Sequence, residues 1–437
     1  MPPTNALAAI LLAAVFGAVI VRQVTGRGPA IWALLVAGAF ATVAVGILSV
    51  GGAEASIAAS APTLIFLFSL FLFAGALDGA GALDHLARWI LSRSHKPSNL
   101  PFDLFVGIGL VSAVMVNDAL VVIGVPLLIG VASRLRADPK PLLLVLAFAV
   151  TVGSTLTPFG NPQNLLVAVA SGVASPVTTF LRYLAIPTAI NLLLGAWYVR
   201  WAYGSKLRST ESSTPPTGER IRLFPEHGWA QRLRSYPVLV IFPGTMIVLV
   251  TLDITSALTH GPQVPVWETA LAGAVVLLLL SPGRAQTVQR VNWSILLLFA
   301  GLFVVVAGAV EGGVIASLDS VFPVPGPGHP TAALLAVVGT SAGAAQVVSN
   351  VPWVALQIPV LTGLGYGAGT PIIWMALAAS STLAGNITFL GAASNLILVD
   401  AAQKLGVRIR LSEFVRHGVP LAAITIAVLV VCLALGL

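Results

Sequence analysis

Hydrophobic residues occur in runs long enough to cross a lipid bilayer about ten times. A bilayer core of about 30 Å requires about 20 apolar residues per spanning helix. Five such runs begin in each half of the chain, near Ala6, Ala30, Ser60, Pro141 and Thr178, and near Pro237, Pro265, Trp293, Pro371 and Gly418. The pattern predicts an all-α membrane protein with about five transmembrane helices in each half.

Two further apolar stretches, residues 104–131 and 332–364, carry polar residues at their centres. The loops at both ends of each stretch have the same character, so neither stretch reads as a simple crossing. Irregular backbone at membrane depth is tolerated only where it is buried in protein or lines a cavity. We therefore predict two re-entrant hairpins.

The two halves of the chain align at a nearly constant offset. Asn117 in NDALVVIGVP corresponds to Asn350 in NVPWVALQIP, 233 positions later. Gly160 in TLTPFGNPQNLLV corresponds to Gly391 in NITFLGAASNLIL, 231 positions later. Because five crossings is an odd number, the second copy is expected to lie inverted relative to the first, as in transporters that work by alternating access.

This repeat divides the chain into three segments. Residues 1–203 and 237–437 are the two copies, and residues 204–236 form a linker rich in Ser, Thr, Pro and charge. With the N-terminus outside, 21 of the 22 Lys and Arg residues fall on the cytoplasmic side, Arg182 being the exception. We therefore expect an inner-membrane protein with both termini in the periplasm and the linker in the cytoplasm.

Composition excludes several other functions. Only 8% of the residues are charged, and the net charge of +7 follows from the positive-inside bias, so the expected partner is the lipid bilayer and not nucleic acid. The chain has no GxxxxGK[ST] phosphate-binding loop and a single cysteine, Cys432, and its histidines do not pair with acids at ligand spacing. We expect no metal centre, no cofactor and no catalytic residues, which favours a transporter over an enzyme.

Polar, helix-breaking residues at membrane depth occur as two symmetric pairs. The hairpin tips are Val116-Asn117-Asp118-Ala119 and Ser349-Asn350-Val351-Pro352, and the breaks in the fourth and ninth crossings lie at 154–164 and 385–395. A hairpin that turns inside the membrane presents the N-terminus of its second helix, which favours anions. A broken helix presents carbonyl oxygens, which together with side-chain oxygens suit Na⁺.

These four segments supply the candidate site residues. For the substrate we expect Asn117, Asp118, Asn164, Ser349, Asn350 and Asn395. For the coupling ion, either H⁺ or Na⁺, we expect Thr155, Thr157, Gly160, Asn161, Asn386, Thr388, Gly391 and Ser394. Asp118 is the one carboxylate predicted at a tip, and three roles are open to it: carrying a proton, binding a cation, or capping a helix N-terminus.

At these residues the sequence resembles the ion-transporter superfamily, which contains citrate and dicarboxylate carriers, arsenite-efflux membrane proteins and Na⁺/H⁺ antiporters. The dicarboxylate carriers have Ser-Asn-Thr at both tips, where this chain has Val116-Asn117-Asp118 and Ser349-Asn350-Val351. Both tips look more like the arsenite-efflux branch and its uncharacterised anion-permease relatives, and the run GNPQNLL from Gly160 looks most like those permease relatives. The resemblance implies substrate and cation binding at the matched positions, and a homodimer.

Pattern and resemblance together predict a secondary active transporter that moves a small anion, coupled to H⁺ or Na⁺, by alternating access. Arsenite or antimonite efflux is one alternative, and it alone would bring a soluble ATPase partner. Na⁺/H⁺ antiport is another, and it would depend on Asp118 without an anion site.

Overall fold

The computed structural model describes residues 3–25, 27–82, 97–208, 236–259, 261–281 and 283–436, and within these ranges the chain is helical, without a strand. The helices of the first half are α1 (Pro3–Thr25), α2 (Ile31–Ala44), α3 (Val50–Gly79), α4 (Leu100–Ser112), α5 (Asn117–Arg134), α6 (Pro139–Gly153), α7 (Pro162–Ala170) and α8 (Pro176–Arg208).

The second half continues with α9 (Val238–Thr259), α10 (Val266–Leu280), α11 (Arg284–Gln289), α12 (Trp293–Glu311), α13 (Val314–Val321), α14 (Pro330–Val348), α15 (Asn350–Gly363), α16 (Pro371–Ala384), α17 (Ala393–Lys404) and α18 (Leu411–Ala434). Short 3₁₀ helices lie at Pro97–Asn99, Ser154–Leu156 and Phe389–Gly391.

The described residues include nine helices that are long and apolar enough to cross a membrane. Shorter apolar helices, among them α2 and α10, stand where the hydrophobic runs predicted further crossings. The predicted all-α, multi-pass membrane protein is thereby confirmed.

Two helices begin earlier than the hydrophobic runs indicated. The third run was predicted to start near Ser60, but α3 begins at Val50, where Ser49 Oγ accepts a hydrogen bond from the Gly52 amide at 3.0 Å. The tenth was predicted near Gly418, but α18 begins at Leu411, after a cap in which Glu413 accepts from the Arg410 amide at 2.7 Å. Both caps use polar residues outside the apolar run, so hydrophobicity alone did not reveal them.

Each of the two predicted hairpins consists of two helices joined by a short turn. Residues 113–116 join α4 to α5, and Ser349 alone joins α14 to α15. Their turns fall at the tips predicted from the sequence. The order of elements from α4 to α8 recurs from α14 to α18, with matching breaks, while the inverted orientation of the second copy stays a prediction.

The broken helices form the centre of the bundle. Residues 141–153 of α6 and 373–384 of α16 are buried throughout. Helix α6 contacts α4, α5 and α8, and α16 contacts α14, α15 and α18. At Gly153 a Cβ atom would collide with the Gly109 carbonyl of α4, so glycine permits this close approach. The breaks therefore lie in protein, where irregular backbone can be satisfied.

The predicted linker, residues 204–236, is described only at its edges. Helix α8 continues through Arg208, so the first five residues of this segment are helical. The predicted linker residues 209–235 lie outside the described residues.

Candidate functional site

Four helix N-termini meet at one cavity. The lining residues in the first turns of α5, α7, α15 and α17, or immediately before α7 and α15, are Asp118, Asn161, Pro162, Ser349, Asn350, Val351, Pro352, Ala393 and Ser394. The rest of the lining comes from α1, α2 and α12 and is mostly apolar, being formed by Val19, Gln23, Ile31, Ile295, Leu298 and Phe299. The cavity contains about 540 Å³ of space outside protein atoms, open side included.

Extended backbone leads into two of these helices. Asn161 has φ −148° and Ala392 has φ −139°, so the chain is extended immediately before α7 and α17 begin. Pro162 occupies the first position of α7, where its missing N–H costs no helical hydrogen bond. Each break thus ends in a new helix N-terminus that faces the cavity.

The first hairpin tip is hydrogen-bonded to the first break. Asn117 donates from its backbone amide to the Gly160 carbonyl at 3.1 Å and from Nδ2 to Ser154 Oγ at 3.0 Å. Ser112 Oγ lies 2.8 Å from Asn117 Oδ1 and 2.7 Å from the Val150 carbonyl, so its proton serves either acceptor. Both the backbone N–H and the side-chain amide of Asn117 therefore bond to other protein groups.

Two other predicted residues, Thr157 and Asn164, make further hydrogen bonds in the first tip and the first break. Thr157 Oγ1 donates to the Ala113 carbonyl in the tip and accepts from the Phe159 amide at 3.1 Å. Asn164 Nδ2 donates to the carbonyls of Ser154 at 2.8 Å and Thr157 at 3.2 Å. These bonds satisfy backbone groups that the break leaves without helical partners.

Two more predicted residues are held by packing and local bonds. At Gly160 a Cβ atom would meet the Ser112 carbonyl and Ser154, so this contact requires glycine. Thr155 Oγ1 lies 2.7 Å from the Val152 carbonyl and 2.9 Å from Thr188 Oγ1. Both residues stabilise the break and do not line the cavity.

The second tip is held less firmly. Ser349 has φ 71° and ψ 159°, a conformation that costs a non-glycine residue about 1–3 kcal/mol. Asn350 Oδ1 accepts from the neighbouring Val351 amide at 2.9 Å. Among the described residues Asn350 Nδ2 has no acceptor, and the side chain lines the cavity. This amide donor is therefore available to a ligand.

The second break is braced by Gln346 of α14. Thr388 Oγ1 donates to Gln346 Oε1 at 2.8 Å, and Gln346 Nε2 donates to the Ala384 carbonyl at 2.8 Å. A Cβ atom at Gly391 would collide with the Gln346 amide, so Gly391 permits the brace. Asn386 is fully buried, and neither polar atom of its side chain has a partner among the described residues.

Gln163 and Thr382 connect the two broken helices, and sequence reasoning missed both. Gln163 Nε2 donates to Thr382 Oγ1 at 3.0 Å, and Thr382 Oγ1 lies 3.0 Å from Asn164 Oδ1. The run Ser380-Ser381-Thr382, polar in the middle of an apolar helix, was the available signal.

Asp118 is the one titratable residue among the described residues that line the cavity. Its side chain is 5% exposed, and its carboxylate has no hydrogen-bond or ion-pair partner in the described part of the chain. It makes no capping bond to α5, so the capping role does not match this arrangement. A buried carboxylate without a protein partner is costly unless a proton, cation or ligand donor accompanies it.

The structure divides the predicted site residues into two groups. Those that line the cavity are Asp118, Asn161, Ser349, Asn350 and Ser394. Those that lie behind it, in the tips and breaks, are Asn117, Thr155, Thr157, Gly160, Asn164, Asn386, Thr388, Gly391 and Asn395. The apolar wall was not predicted, because its residues belong to ordinary transmembrane runs.

A multi-pass helical protein with this buried polar site belongs to the class of membrane transporters. The family model described as CitMHS, citrate transporter, matches residues 11–380, and the chain belongs to this family. The predicted membership of the ion-transporter superfamily is confirmed.

Individual relatives agree with this assignment. The 46 kDa membrane protein of Mycobacterium leprae is 26% identical over 83% of each chain, and an uncharacterised transporter of Mycobacterium tuberculosis is 28% identical over 83% of each. The silicon efflux transporter LSI3 of Oryza sativa subsp. japonica is 26% identical over 84% of each. The crystal structure of the YdaH transporter of Alcanivorax borkumensis shares the fold, with a TM-score of 0.53 and 16% identity over 88% of this chain and 86% of that one.

Proposed function

We propose that the chain is a secondary active transporter of the inner membrane that moves a small anion, coupled to H⁺ or Na⁺, by alternating access. The observation that carries this proposal is the convergence of four helix N-termini on one cavity. Each helix N-terminus acts as a partial positive charge of about half a unit and offers free N–H groups. An anion is the ligand that such an arrangement favours.

Unpartnered side-chain donors support an anionic substrate. Asn350 Nδ2, Ser394 Oγ and the Asn161 amide line the cavity without acceptors among the described residues. Hydrogen bonds to a charged group contribute about 1.5–3 kcal/mol each. These donors would bind the anion in place of Lys or Arg side chains, because the described lining contains neither residue.

Asp118 supplies the coupling in this proposal. An ionised carboxylate beside a bound anion would raise the energy of the loaded site, by about 4 kcal/mol for charges about 4 Å apart at an effective dielectric constant of about 20. A proton or Na⁺ bound at Asp118 removes this repulsion. Substrate and cation then strengthen each other's binding, which is the condition for symport.

The cavity's apolar wall supports access from the cytoplasm. Gln23 and Ile31, at the end of α1 and the start of α2, flank a connection that carries Arg27, and Ile295 follows Arg290 by five residues. The expected cytoplasmic location of the basic residues supports a cytoplasmic position for these helix ends. We infer that the structure represents an inward-facing state of a homodimer, in which hairpins and broken helices move against a scaffold containing α1, α2 and α12.

An uncharged oxyacid is a second candidate substrate. One relative is named a silicon efflux transporter, and arsenite-efflux proteins belong to the superfamily that the sequence resembles. The Asp118 carboxylate can accept hydrogen bonds from hydroxyl groups, while Asn350 and Ser394 can donate to them. Efflux of arsenite or antimonite, with a soluble ATPase partner, therefore stays an alternative, as does Na⁺/H⁺ antiport through Asp118 alone.

Thermal unfolding of the purified protein tests the proposal. We would compare dicarboxylates, citrate, sulfate, arsenite and Na⁺ as stabilising ligands, since a ligand at about 100 times its Kd stabilises by about 2.7 kcal/mol. A bound anion should stabilise the wild type against unfolding, and it should stabilise Asn350→Ala and Ser394→Ala by a smaller amount. Ser69→Ala is the matched control, because Ser69 is buried but bonds only within α3.

Uptake into proteoliposomes completes this test. A stabilising anion should be accumulated when a proton or Na⁺ gradient is imposed and should not be accumulated without one. Stabilisation that is equal in the cavity variants and the wild type, or the absence of gradient-driven uptake, would contradict the proposal.

A further inference from the structure

We propose that Gln23, near the end of α1, is a substrate-binding residue contributed by the scaffold helices, and that its amide group bonds to a second polar group of the bound solute. This inference rests on the proposed anion-transport function and deepens it by naming a residue that decides which solutes the site accepts. The amide group is neutral, so its role is the same whether Asp118 carries a proton, a Na⁺ ion or neither.

Gln23 differs from its neighbours in the cavity lining. Helices α1, α2 and α12 contribute five other lining residues in the described part of the chain, all with hydrocarbon side chains: Val19, Ile31, Ile295, Leu298 and Phe299. Gln23 is therefore the one hydrogen-bonding side chain that these three helices offer to a ligand there. Its Nε2 can donate two hydrogen bonds, and its Oε1 can accept others.

The protein itself leaves this amide group free. Gln23 is half-buried, and its side chain has no hydrogen-bond partner among the described residues. Two residues further along α1 the arrangement is different, because Thr25 Oγ1 donates to the Val21 carbonyl at 2.7 Å. A polar group that is partly withdrawn from water without a partner gains free energy when a ligand bonds to it. The Gln23 amide is thus available to a solute in the cavity.

The helices that carry Gln23 form a unit other than the tips and breaks. Gly301 of α12 packs on the backbone of α2, where a Cβ atom would lie 2.7 Å from the Leu35 carbonyl carbon. Gly38 of α2 packs on α1, where a Cβ atom would lie 2.7 Å from a methyl group of Val15. These close approaches hold α1, α2 and α12 together. A solute in the cavity therefore contacts two units of the protein.

The two units offer different groups to a solute. A carboxylate is favoured at the N-termini of α5, α7, α15 and α17, where N–H groups and partial positive charge converge. A second polar group on the same solute then reaches either the open side of the cavity or the lining from α1, α2 and α12. In that lining Gln23 can donate to a second carboxylate or accept from a hydroxyl group.

Thermal unfolding of the purified full-length protein, at mildly alkaline pH, tests this contact with four carboxylates. Citrate, succinate and 4-hydroxybutyrate carry a polar group beyond one carboxylate, and butyrate does not. In Gln23→Leu, which removes the amide group, affinity should fall about tenfold where the second group is a carboxylate and about threefold where it is a hydroxyl group. The affinity for butyrate, which matches 4-hydroxybutyrate in charge and chain length, should not fall.

Gln23→Glu distinguishes a direct contact from a change in the shape of the cavity, and it provides a second measurement if Gln23→Leu does not fold. The introduced carboxylate accepts from a hydroxyl group but repels a second carboxylate. Gln23→Glu should therefore bind 4-hydroxybutyrate more tightly than Gln23→Leu does, and succinate and citrate less tightly.

Thr25→Val is the matched control, because Thr25 lies at the same end of α1 and does not line the cavity. This variant should bind all four carboxylates as the wild type does. The unfolding midpoint without ligand reports whether each variant is folded.

The outcomes separate this inference from the proposed function. Unchanged affinity in Gln23→Leu for the solutes with a second polar group, or an equal loss of affinity for butyrate, overturns the Gln23 contact and leaves anion transport standing. A wild type that binds none of citrate, succinate and 4-hydroxybutyrate also overturns it. The proposed function fails as well only if butyrate and sulfate do not bind either.

Discussion

Thr382 Oγ1 on α16 lies 3.0 Å from Asn164 Oδ1 on α7, and this contact joins the broken helix of one half of the chain to that of the other. The repeat relates this pair, at an offset of 231 positions, to Thr151 on α6 in the first half and Asn395 on α17 in the second. Thr151 Oγ1 donates within its own helix to the Ala147 carbonyl at 2.9 Å, and Asn395 Oδ1 is buried without a partner among the described residues. The two breaks are thus equivalent in sequence but differ in their hydrogen bonds.

This difference predicts unequal effects of two equivalent substitutions. Asn164→Ala removes the side-chain donor to the buried carbonyls of Ser154 and Thr157 and one of the two acceptors of Thr382 Oγ1, which also bonds to the Ala378 carbonyl at 2.8 Å. Leaving buried polar groups unpaired costs about 1–3 kcal/mol each. Asn395→Ala removes one bond, to the Gly385 carbonyl at 2.7 Å, and also an oxygen that has no partner. Thermal unfolding should show a clearly larger loss of stability for Asn164→Ala, and equal losses would contradict the bonding described.

The two tip asparagines should also respond differently. The sequence alone predicted that Asn117→Ala and Asn350→Ala would each abolish uptake in a folded protein. In the structure Asn117 bonds to Ser154 and lies next to Ser112, so its replacement should lower stability first. Asn350→Ala should keep stability and weaken anion binding by about 10- to 100-fold, the equivalent of about 1.5–3 kcal/mol. Binding and unfolding measured on both variants decide this, and unaltered affinity in Asn350→Ala would remove that residue from the site.

Ser349→Gly should stabilise the protein. Glycine adopts the backbone conformation of Ser349 without the strain of a Cβ atom, although it loses about 0.5–1 kcal/mol through its greater freedom in the unfolded chain. We expect a net gain of up to about 2 kcal/mol in thermal unfolding. Ser349→Ala keeps the strain and removes the same hydroxyl group, so it is the control. A Ser349→Gly variant no more stable than Ser349→Ala would show that the turn stores no strain.

The positions of the tips and breaks could be predicted from the sequence, because polar and helix-breaking residues are rare in transmembrane runs and here recur at matching positions. Asn350 and Asp118 were identified as cavity residues on that basis. The sequence could not predict which of these residues line the cavity and which ones hold the tips and breaks together behind it. Asn117 and Asn350 occupy equivalent positions, and only the three-dimensional packing brings Ser154 within 3.0 Å of the first.

The apolar residues of the cavity lining could not be predicted from the sequence either. Leu298 and Phe299 lie in an apolar run that differs in no visible way from lipid-facing helices. Ser49 and Arg410 show the same limit at helix ends, because caps depend on local polar residues that lie outside the hydrophobic pattern. Hydrophobicity therefore predicted which segments are helices, and it predicted neither where two of them begin nor what they contact.

The orientation of the chain in the membrane is testable without a ligand. The distribution of basic residues predicts a periplasmic C-terminus and a cytoplasmic segment at residues 209–235. A reporter that is active only in the cytoplasm should be inactive when fused after the last residue and active when inserted within 209–235. An active C-terminal fusion would mean that the number of crossings is odd, and it would remove the support for an inward-facing cavity.

Replacing Asp118 by Asn distinguishes the coupling mechanisms. The amide keeps the size of the side chain but cannot exchange a proton. If Asp118 carries the coupling proton, the variant should lose accumulation driven by a pH gradient and keep the exchange of labelled for unlabelled substrate, since exchange requires no net proton movement. If Asp118 binds Na⁺, then Na⁺ should stabilise the wild type in the thermal unfolding assay, and the variant should lose this stabilisation.

Proteoliposomes prepared in parallel from the wild type, Asp118→Asn and Asp253→Asn supply both measurements, because Asp253 is a buried acid that lies outside the cavity. The control should retain both accumulation and exchange per folded molecule. Accumulation by Asp118→Asn that still follows the pH gradient would show that the proton is carried elsewhere. Loss of accumulation and exchange together, in a folded variant that no longer binds the anion, would instead assign Asp118 to substrate binding.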